Sequence, residues 1–378
     1  MRDLKHQQKI KLLLLSGASL VGRNILDMLT DRRNEVQLIA TNSIIDDPTL
    51  YEFDKVYKTS ITLGDSNQFE KKVLGIVDTE QPDLIIPCRD DDVIFLAGLR
   101  DRRPDLAHRI VCGNSDTAQA TYDKYESWNF SRNYDLPFVP TMTNPSDEQA
   151  LEFVRRYGFP LLAKPKTGFA SRGVFIICNE SQLLLLAKDT NYIIQKFLGE
   201  QEIINRYLDT LKTTGLPLHH SFEGVKHSIQ IWIAPDGTPA GYFCTRNVNR
   251  NGTSLSLERY HGDDAKNLGM MCMRAFSEAG WRGPVNIQCQ KAPDGQLYIY
   301  EYNGRISGAS AARYFMGFDE MGILIRCFLK RELSDVPHSI NKKVFRYMTD
   351  RIIPDQARTE LETKGFWQKK ENIKSNKV

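Results

Sequence analysis

Glu301, Asn303 and Arg305 stand at alternate positions at the end of residues 295–300, a run of aromatic and β-branched residues. Pro293-Asp294-Gly295 supplies a turn just before it, so the run reads as a strand. Side chains alternate faces along a strand, which puts Leu297, Ile299, Glu301 and Asn303 on one face. A carboxylate and a carboxamide two residues apart, aimed at one spot, suit a hard cation such as Mg²⁺. That ion keeps positions open for water and phosphate oxygens, so a nucleotide is the natural third party. Arg305 has the same parity and would neutralise phosphate charge through paired hydrogen bonds. Residues 284–290 alternate apolar and polar and then turn back through 291–295. The two runs make a hairpin that brings Gln288 or Gln290 beside Glu301.

A second basic element lies upstream. Residues 158–177 read as strand, polar loop, strand, with Lys164 ending the first strand. The loop carries Thr167, Gly168, Ser171, Arg172 and Gly173, whose amides and side chains would cover phosphates. Asp123-Lys124 sits near the start of a helix over residues 116–134. Residues 146–157 form an amphipathic helix, with Ser146 and Gln149 at capping-box spacing. Residues 192–198 are a strand that runs into Gly199. Residues 200–221, which include His219-His220, read as an insertion without clear period. Residues 264–280 form a helix whose stripe of Leu268, Met271, Cys272, Ala275, Phe276 and Ala279 is core.

The first third of the chain alternates strand and helix. Strands are expected at 10–16, 36–40, 54–57, 84–87 and 109–113, and helices from 17 to 31, over 67–77 and from 90 to 100. Such alternation means an open α/β sheet. The turn Gly17-Ala18-Ser19-Leu20-Val21-Gly22 resembles a dinucleotide-binding turn, but it has two glycines where the fingerprint has three. No acidic residue closes the second strand.

Composition narrows the setting. In 378 residues, 50 Lys and Arg against 47 Asp and Glu give a net charge of +3, so no nucleic-acid or acidic-membrane partner follows. The 7 cysteines show no Cys-x-x-Cys spacing, which fits reduced thiols in a cytoplasmic protein. Apolar runs such as 12–15 and 183–186 are too short to span a bilayer, and the polar N-terminus lacks a signal-peptide core.

Taken in order, these pieces resemble the ATP-grasp superfamily, particularly its carbamoyl-phosphate synthetase and biotin carboxylase branch. An α/β domain is followed by Asp-Lys in a helix, Phe-Pro-x-x-x-Lys with a glycine-bearing loop, and Ile-Gln-Lys-Phe-Leu. Asn-x-Gln and Glu-x-Asn-x-Arg complete the series. The resemblance spans roughly residues 10–330 and implies four regions. These are a pre-ATP-grasp α/β domain (1–115), a small lobe with a linker helix (116–198), a large lobe with the metal site (199–335) and a partly disordered C-terminal extension (336–378). It implies ATP and Mg²⁺ as cofactors, with Lys124 and Lys164 on the nucleotide phosphates under the loop of residues 167–173. Gln195, Lys196, Phe197 and Leu198 would form the hinge, the backbone of Lys196 and Leu198 reading adenine, with Glu223 or Glu202 on the ribose. Gln288, Glu301 and Asn303 would hold Mg²⁺, and Arg305 would stabilise the transferring phosphoryl group.

The chemistry implied is phosphorylation of a small carboxylic acid followed by attack of an amine or other nucleophile, with a homodimer as the default assembly. Arginines suited to the acid are Arg313, Arg246, Arg250 and Arg259. Two other readings stand beside the ligase: an ATP-binding module without turnover, and an NAD(P)-dependent reductase using the Gly17–Gly22 turn.

Overall fold

A computed structural model of the chain describes residues 8–62, 64, 66–168, 171–215, 225–250, 253–336, 342–347 and 349–370. Strands β1 (Ile10–Leu15), β2 (Val36–Asn42), β3 (Lys55–Lys58) and β4 (Leu84–Pro87) pair in parallel in the order β3-β2-β1-β4. Ile10 and Leu12 through Leu15 are buried without alternation, as expected of a sheet covered on both faces. Helices α1 (Leu20–Met28), α2 (Ser66–Glu80) and α3 (Asp90–Arg102) supply the cover. Ser19 caps α1 by accepting from the Gly22 amide, and three aspartates open α3, where the helix dipole favours negative charge. The chain leaves β1 for β2 on one side while β4 lies on the other. That order opens a crevice beyond the carboxyl ends of the strands. The strand expected at 109–113 reduces to a single bridge between Ile110 and Ile85.

The helix expected over 116–134 is two: α4 (Ser115–Tyr122) and α5 (Lys124–Asn133). Asp123 between them is extended, and its carboxylate accepts from the Tyr125 and Glu126 amides. The break makes Lys124 the first residue of α5. The second sheet holds β5 (Thr141–Thr143), β6 (Leu161–Pro165), β7 (Phe175–Ile177) and β8 (Tyr192–Lys196) in the order β5-β8-β6-β7. Helices α6 (Asp147–Tyr157) and α7 (Glu180–Ala187) close over a small core that includes Ala150, Leu161, Ile177, Leu183 and Ile194. The Ser146–Gln149 capping box is formed.

Residues 201–213, expected to lack periodicity, form helix α8 (Gln201–Thr213). Ile204, Tyr207, Leu208 and Leu211 carry helical spacing, and Ile204 is buried. Residues 216–224, with His219, His220 and Glu223, lie outside the described residues.

The third sheet is antiparallel. It comprises β9 (Val225–Ile233), β10 (Pro239–Arg250), β11 (Thr253–Arg259), β12 (Gly283–Lys291), β13 (Leu297–Asn303) and β14 (Lys343–Phe345), in the order β13-β12-β9-β10-β11-β14. Helix α9 (Asp263–Glu278) packs Leu268, Cys272, Ala275 and Phe276 into the core as its stripe predicts, though Met271 is exposed. Short helices α10 (Ser310–Phe315) and α11 (Glu320–Leu329) follow β13. The first and third sheets share one apolar cluster around Trp281, from Leu13, Leu15 and Ile85 to Ile229, Ile287 and Tyr302. Gly113 is a point of close approach: a Cβ there would lie 2.5 Å from the Trp281 ring.

The C-terminal region is not a loose tail over its described part. Helix α12 (Asp355–Lys364) leads into β15 (Phe366–Gln368), which pairs antiparallel with β3 and so joins the first sheet.

Candidate active site

The hairpin of β12 and β13 forms with Gln288 opposite Glu301 and Asn286 opposite Asn303. One residue breaks the expected alternation. Cys289 pairs with Ile299, so Tyr300 is an extra residue on β13, a β-bulge. Ile299 therefore faces the core instead of sharing a face with Glu301, and Tyr302 turns inward to hydrogen-bond Ser131 at 2.8 Å. Tyr300 and Glu301 both look outward, and the Tyr300 hydroxyl donates to Gln288 Oε1 at 3.0 Å.

Lysines gather over this bulge. Lys164 ends β6 in the second sheet and reaches across, its Nζ 4.9 Å from the centre of the Tyr300 ring. Lys226, at the start of β9, lies 5.5 Å from the same ring. Burial pushes the Lys164 ammonium down to about 7; Glu301 opposes the shift, and Lys226 and Lys124 add to it. Four charged groups from α5, β6, β9 and β13 thus share one space. Among these four groups three lysines face one carboxylate.

Lys124 ties down the loop that follows β6. Its Nζ donates to the Gly168 carbonyl at 3.1 Å and its amide to the Lys166 carbonyl at 2.9 Å. Thr167 and Gly168 line the same cavity as Lys124 and Glu301, with a volume of about 630 Å³. Ser171 and Gly173 have positive φ of 56° and 70°, and Gly173 packs beneath Pro165 and Tyr192. Phe169 and Ala170, in the same loop, lie outside the described residues.

The segment expected to form the hinge is held by the sheet at two atoms. Gln195 is fully buried, its amide donating to Thr141 Oγ1 at 3.0 Å, so its side chain belongs to the sheet. The Lys196 amide donates to the Pro140 carbonyl at 3.0 Å and is not available to a base. The Lys196 ammonium lies near the Tyr157 and Tyr298 rings at 5.8 and 5.9 Å. The Phe197 ring packs against Gly199, and Leu198 is buried in the main core.

Arg305 carries a partner that the strand pattern does not show. Its Nη2 donates to Asp90 Oδ2 at 3.0 Å, and its Nε lies 2.9 Å from Asp90 Oδ1. Burial would lower the Arg305 pKa, but the Asp90 carboxylate outweighs it and holds the guanidinium above its ordinary value. Nη2 also donates to Asn303 Oδ1 at 3.0 Å. Asp90 opens α3 in the first sheet's layer, so this ion pair joins that layer to the end of β13. Asp46, Asp47 and Asp91 line the same cavity, which makes its wall on the first sheet acidic.

The donors present fit one Mg²⁺. Glu301 offers a carboxylate and Asn303 a carboxamide on the same face, and Asn303 Nδ2 is buried with no hydrogen-bond partner. Asn303 Oδ1 accepts from Arg305 Nη2, so Arg305 would have to release that oxygen to a cation, and the unpaired Nδ2 is a donor that a phosphate oxygen would satisfy. Gln288 is already engaged by Tyr300. Among the described residues no cluster of three His, Cys, Asp or Glu side chains forms, so the remaining ligands would be phosphate oxygens and water.

The acid-binding arginines do not gather at the cavity. Arg313 is fully buried, 3.5 Å from Glu320, and donates to Gln230, Ser307 and Ser228. It braces the floor beneath the site and has no open face for a substrate. Arg246 is exposed on β10, where it pairs with His227, and does not line this cavity; Arg259 lies over the Phe243 ring at 4.8 Å. The side chain of Arg250 lies outside the described residues.

The glycine turn has a packing explanation. A Cβ on Gly22 would lie 2.0 Å from the Gly17 carbonyl oxygen, and one on Gly17 would lie 2.6 Å from Ala40 Cβ. Asn42, at the end of β2, accepts from the Ala18 amide at 3.3 Å. Sequence reasoning misses Asp90, Lys226 and Tyr300. The acidic start of α3 is visible in the sequence, but only its effect on the helix dipole follows from it.

The fold is similar to that of solved ATP-grasp structures, and part of the chain matches an ATP-binding family. Residues 123–216 match the family described as carbamoyl-phosphate synthase L chain, ATP binding domain. The arginine-specific carbamoyl phosphate synthase large chain of Halalkalibacterium halodurans is 23% identical over 163 residues, 43% of this chain and 15% of that protein. Biotin carboxylase of Pseudomonas aeruginosa is 24% identical over 200 residues, 49% of this chain and 40% of that protein. The matched region thus spans less than half of either curated relative. Among solved structures, N5-carboxyaminoimidazole synthetase from Staphylococcus aureus superposes with a TM-score of 0.63 at 13% identity, covering 86% of this chain and 79% of that one. The biotin carboxylase–ATP analogue complex from Campylobacter jejuni gives 0.62 at 14% identity, covering 86% and 72%. No helix among the described residues is long and apolar enough to cross a membrane.

Proposed function

We propose that this chain is an ATP-dependent ligase that activates a carboxylate as an acyl phosphate and passes the acyl group to an amine or other nucleophile, releasing ADP and phosphate. The observation that carries the reading is the convergence of Lys124, Lys164 and Lys226 on Glu301 across the gap between the second and third sheets. The relatives lend support by what they hold: the biotin carboxylase domain of a 2-oxoglutarate carboxylase from Hydrogenobacter thermophilus was solved with MgADP and bicarbonate. D-alanine–D-alanine ligase of Petrotoga mobilis is 29% identical over 103 residues.

In this reading residues 116–198 form the small lobe and 199–335 the large one. The lysines hold the phosphates, and the loop at Thr167 and Gly168 excludes water. An oxygen of the acid attacks the γ-phosphorus, and ADP leaves with the bonding electron pair. The nucleophile then attacks the acyl carbon, phosphate leaves, and a proton passes from the nucleophile to solvent. Catalysis of the first step is positioning and charge neutralisation. Mg²⁺, when bound through Glu301 and Asn303, would neutralise charge building on the phosphate oxygens.

The pairing of Arg305 with Asp90 and the single carboxylate on the metal face favour a second reading, a nucleotide-binding module without turnover. Thermal unfolding with MgATP, with ATP plus chelator and with NADPH begins the test. A ligand at about 100 times its Kd adds about 2.7 kcal/mol. A rise with MgATP that is lost with chelator and in Glu301→Ala supports nucleotide binding at this site. Acid-dependent phosphate release, with the acyl phosphate trapped by hydroxylamine, then separates ligase from module. No response to millimolar MgATP, or a response to NADPH alone, overturns both.

A further inference from the structure

Arg305 is held at two places. Its Nη2 donates to Asp90 Oδ2 and to Asn303 Oδ1, both at 3.0 Å, and its Nε lies 2.9 Å from Asp90 Oδ1. Both hydrogens of Nη2 are thus engaged, one by a carboxylate from the first sheet's layer and one by the oxygen that Asn303 would offer a cation. The Glu301 carboxylate attracts the guanidinium as well. One arginine therefore acts on both side chains that would hold Mg²⁺, while its firmest partner stands outside that pair.

That partner is on a fixed platform. Asp90 is the first residue of α3, a helix of 13 residues. The start of the helix is pinned by the fully buried Asp92. The Asp92 carboxylate accepts from the Cys88 and Arg89 amides at 3.2 and 3.0 Å, and from the Ser16 and Thr62 hydroxyls at 3.0 and 2.8 Å. Tyr122 steadies the position between them, its hydroxyl donating to Asp91 Oδ1 at 3.2 Å. On the other side the Arg305 amide donates to the Asn303 carbonyl at 2.9 Å, so the chain turns tightly where β13 ends. The guanidinium bridges two fixed points. It can let go of Asn303 at the cost of one bond to a neutral oxygen and keep its ion pair with Asp90. Without Asp90 all of its attraction falls on Asn303 and Glu301. A guanidinium and a divalent cation on one oxygen repel each other strongly in so enclosed a place.

We infer that Asp90 is a positioning residue for the metal site: it gives Arg305 a seat from which Asn303 can be released, and so keeps the arginine from competing with a divalent cation for Asn303 and Glu301. The inference rests on the nucleotide reading of the cavity, which the ligase and the binding module share. It makes a residue 215 positions from Arg305 along the chain a determinant of metal affinity.

The test is calorimetric binding of ADP to the full chain, with chelator and across a series of Mg²⁺ concentrations. The factor by which saturating Mg²⁺ tightens ADP measures the coupling of metal to nucleotide. The proteins are wild type, Asp90→Asn, Arg305→Met and the double variant, each with its melting temperature recorded. Asp90→Asn is expected to shrink the factor about 10-fold, as befits redirecting one charge-assisted pair, and Asp90→Asn/Arg305→Met to restore it. Arg305→Met alone should leave the factor equal to that of wild type or larger, and it decides the matter if Asp90→Asn does not fold. A lower melting temperature in Asp90→Asn with an unchanged factor overturns the inference. So does a double variant no better than Asp90→Asn, since the loss then comes from a loosened α3, and so does a smaller factor in Arg305→Met. Wild type that binds ADP with no help from Mg²⁺ overturns the inference and leaves nucleotide binding standing. Wild type that binds no ADP at any Mg²⁺ concentration overturns the nucleotide reading, and the inference with it.

Discussion

Lys164 is the group whose behaviour the site predicts most sharply. Its ammonium titrates near 7 in the folded chain against 10.5 in a free lysine. Below pH 7 the folded chain carries the full penalty of a charged, enclosed ammonium. Between pH 7 and 10.5 the unfolded chain still holds a proton there that the folded chain has released, so stability rises with pH across that window. The rise is about 1.4 kcal/mol per pH unit, or roughly 2–3 kcal/mol between about pH 7 and 9. Lys164→Met abolishes the titration. The variant is expected to be more stable than wild type below about pH 7 by up to a few kcal/mol, an advantage that shrinks as pH rises. The direct assay is an NMR titration of protein carrying ¹³C-labelled lysine. One resonance should titrate near 7, vanish in Lys164→Met, and move upward when MgADP is added, because phosphate charge favours the protonated form. Calorimetry at about pH 8 in buffers of different ionisation enthalpy should then show proton uptake on nucleotide binding. A lysine spectrum in which every signal titrates above about 9 without nucleotide would refute the reasoning, and with it the idea that uncompensated charge primes this space.

Other outcomes follow from particular contacts. Asp90→Asn should weaken the tie between α3 and β13 by about 1–3 kcal/mol, a moderate loss because both partners keep some solvent contact, read as a lower melting temperature. Arg313→Leu leaves the buried Glu320 without its counter-ion, though still bonded to the Trp232 indole, and should cost about 3–5 kcal/mol, whereas the double variant Arg313→Leu/Glu320→Leu should recover part of it; denaturant midpoints decide. Gly113→Ala drives a methyl group into Trp281 and should destabilise by about 1–3 kcal/mol, with a change in tryptophan fluorescence. Tyr302→Phe removes the hydroxyl bonded to Ser131 and should cost about 1 kcal/mol in the same assay, without loss of MgATP binding.

Much of this architecture is legible in the order of residues alone. The parallel sheet and the hairpin that carries Glu301 follow from apolar runs and turn residues, while the structure chooses Gln288 over Gln290 as the residue opposite Glu301. The bulge at Tyr300 does not, because strict alternation and alternation with one extra residue look alike until the core decides which side chains it accepts. Here Tyr302 fits between Phe130, Phe138 and Phe276, and the register yields to that fit. Arg313 reads as a substrate arginine because it follows the strand of Glu301 so closely. Its burial is set by Glu320, on a separate helix, which no local pattern reveals. Asp90 escapes for a related reason: it stands 215 residues from Arg305 along the chain, so only the packing of layers brings the two together. Helix α8 is different, since its apolar spacing is plain in the sequence and is simply overlooked when residues 200–221 are taken as one insertion.

The pairing of β15 with β3 also bears on how the chain comes to be. Roughly 300 residues separate Lys58 from Phe366, so ribosomes working at about 5–20 residues per second expose β3 for about 15–60 s before its neighbour emerges. Throughout that interval the first sheet has an unpaired edge with free amides and carbonyls, a surface open to stray strands. Only β3 and its two lysines, Lys55 and Lys58, stand guard there, and charge on an edge is one of the ways proteins discourage such pairing. Newly made chains are thus open to such association until Phe366–Gln368 emerges, and the segment around Trp367 acts as the latch that ends the risk.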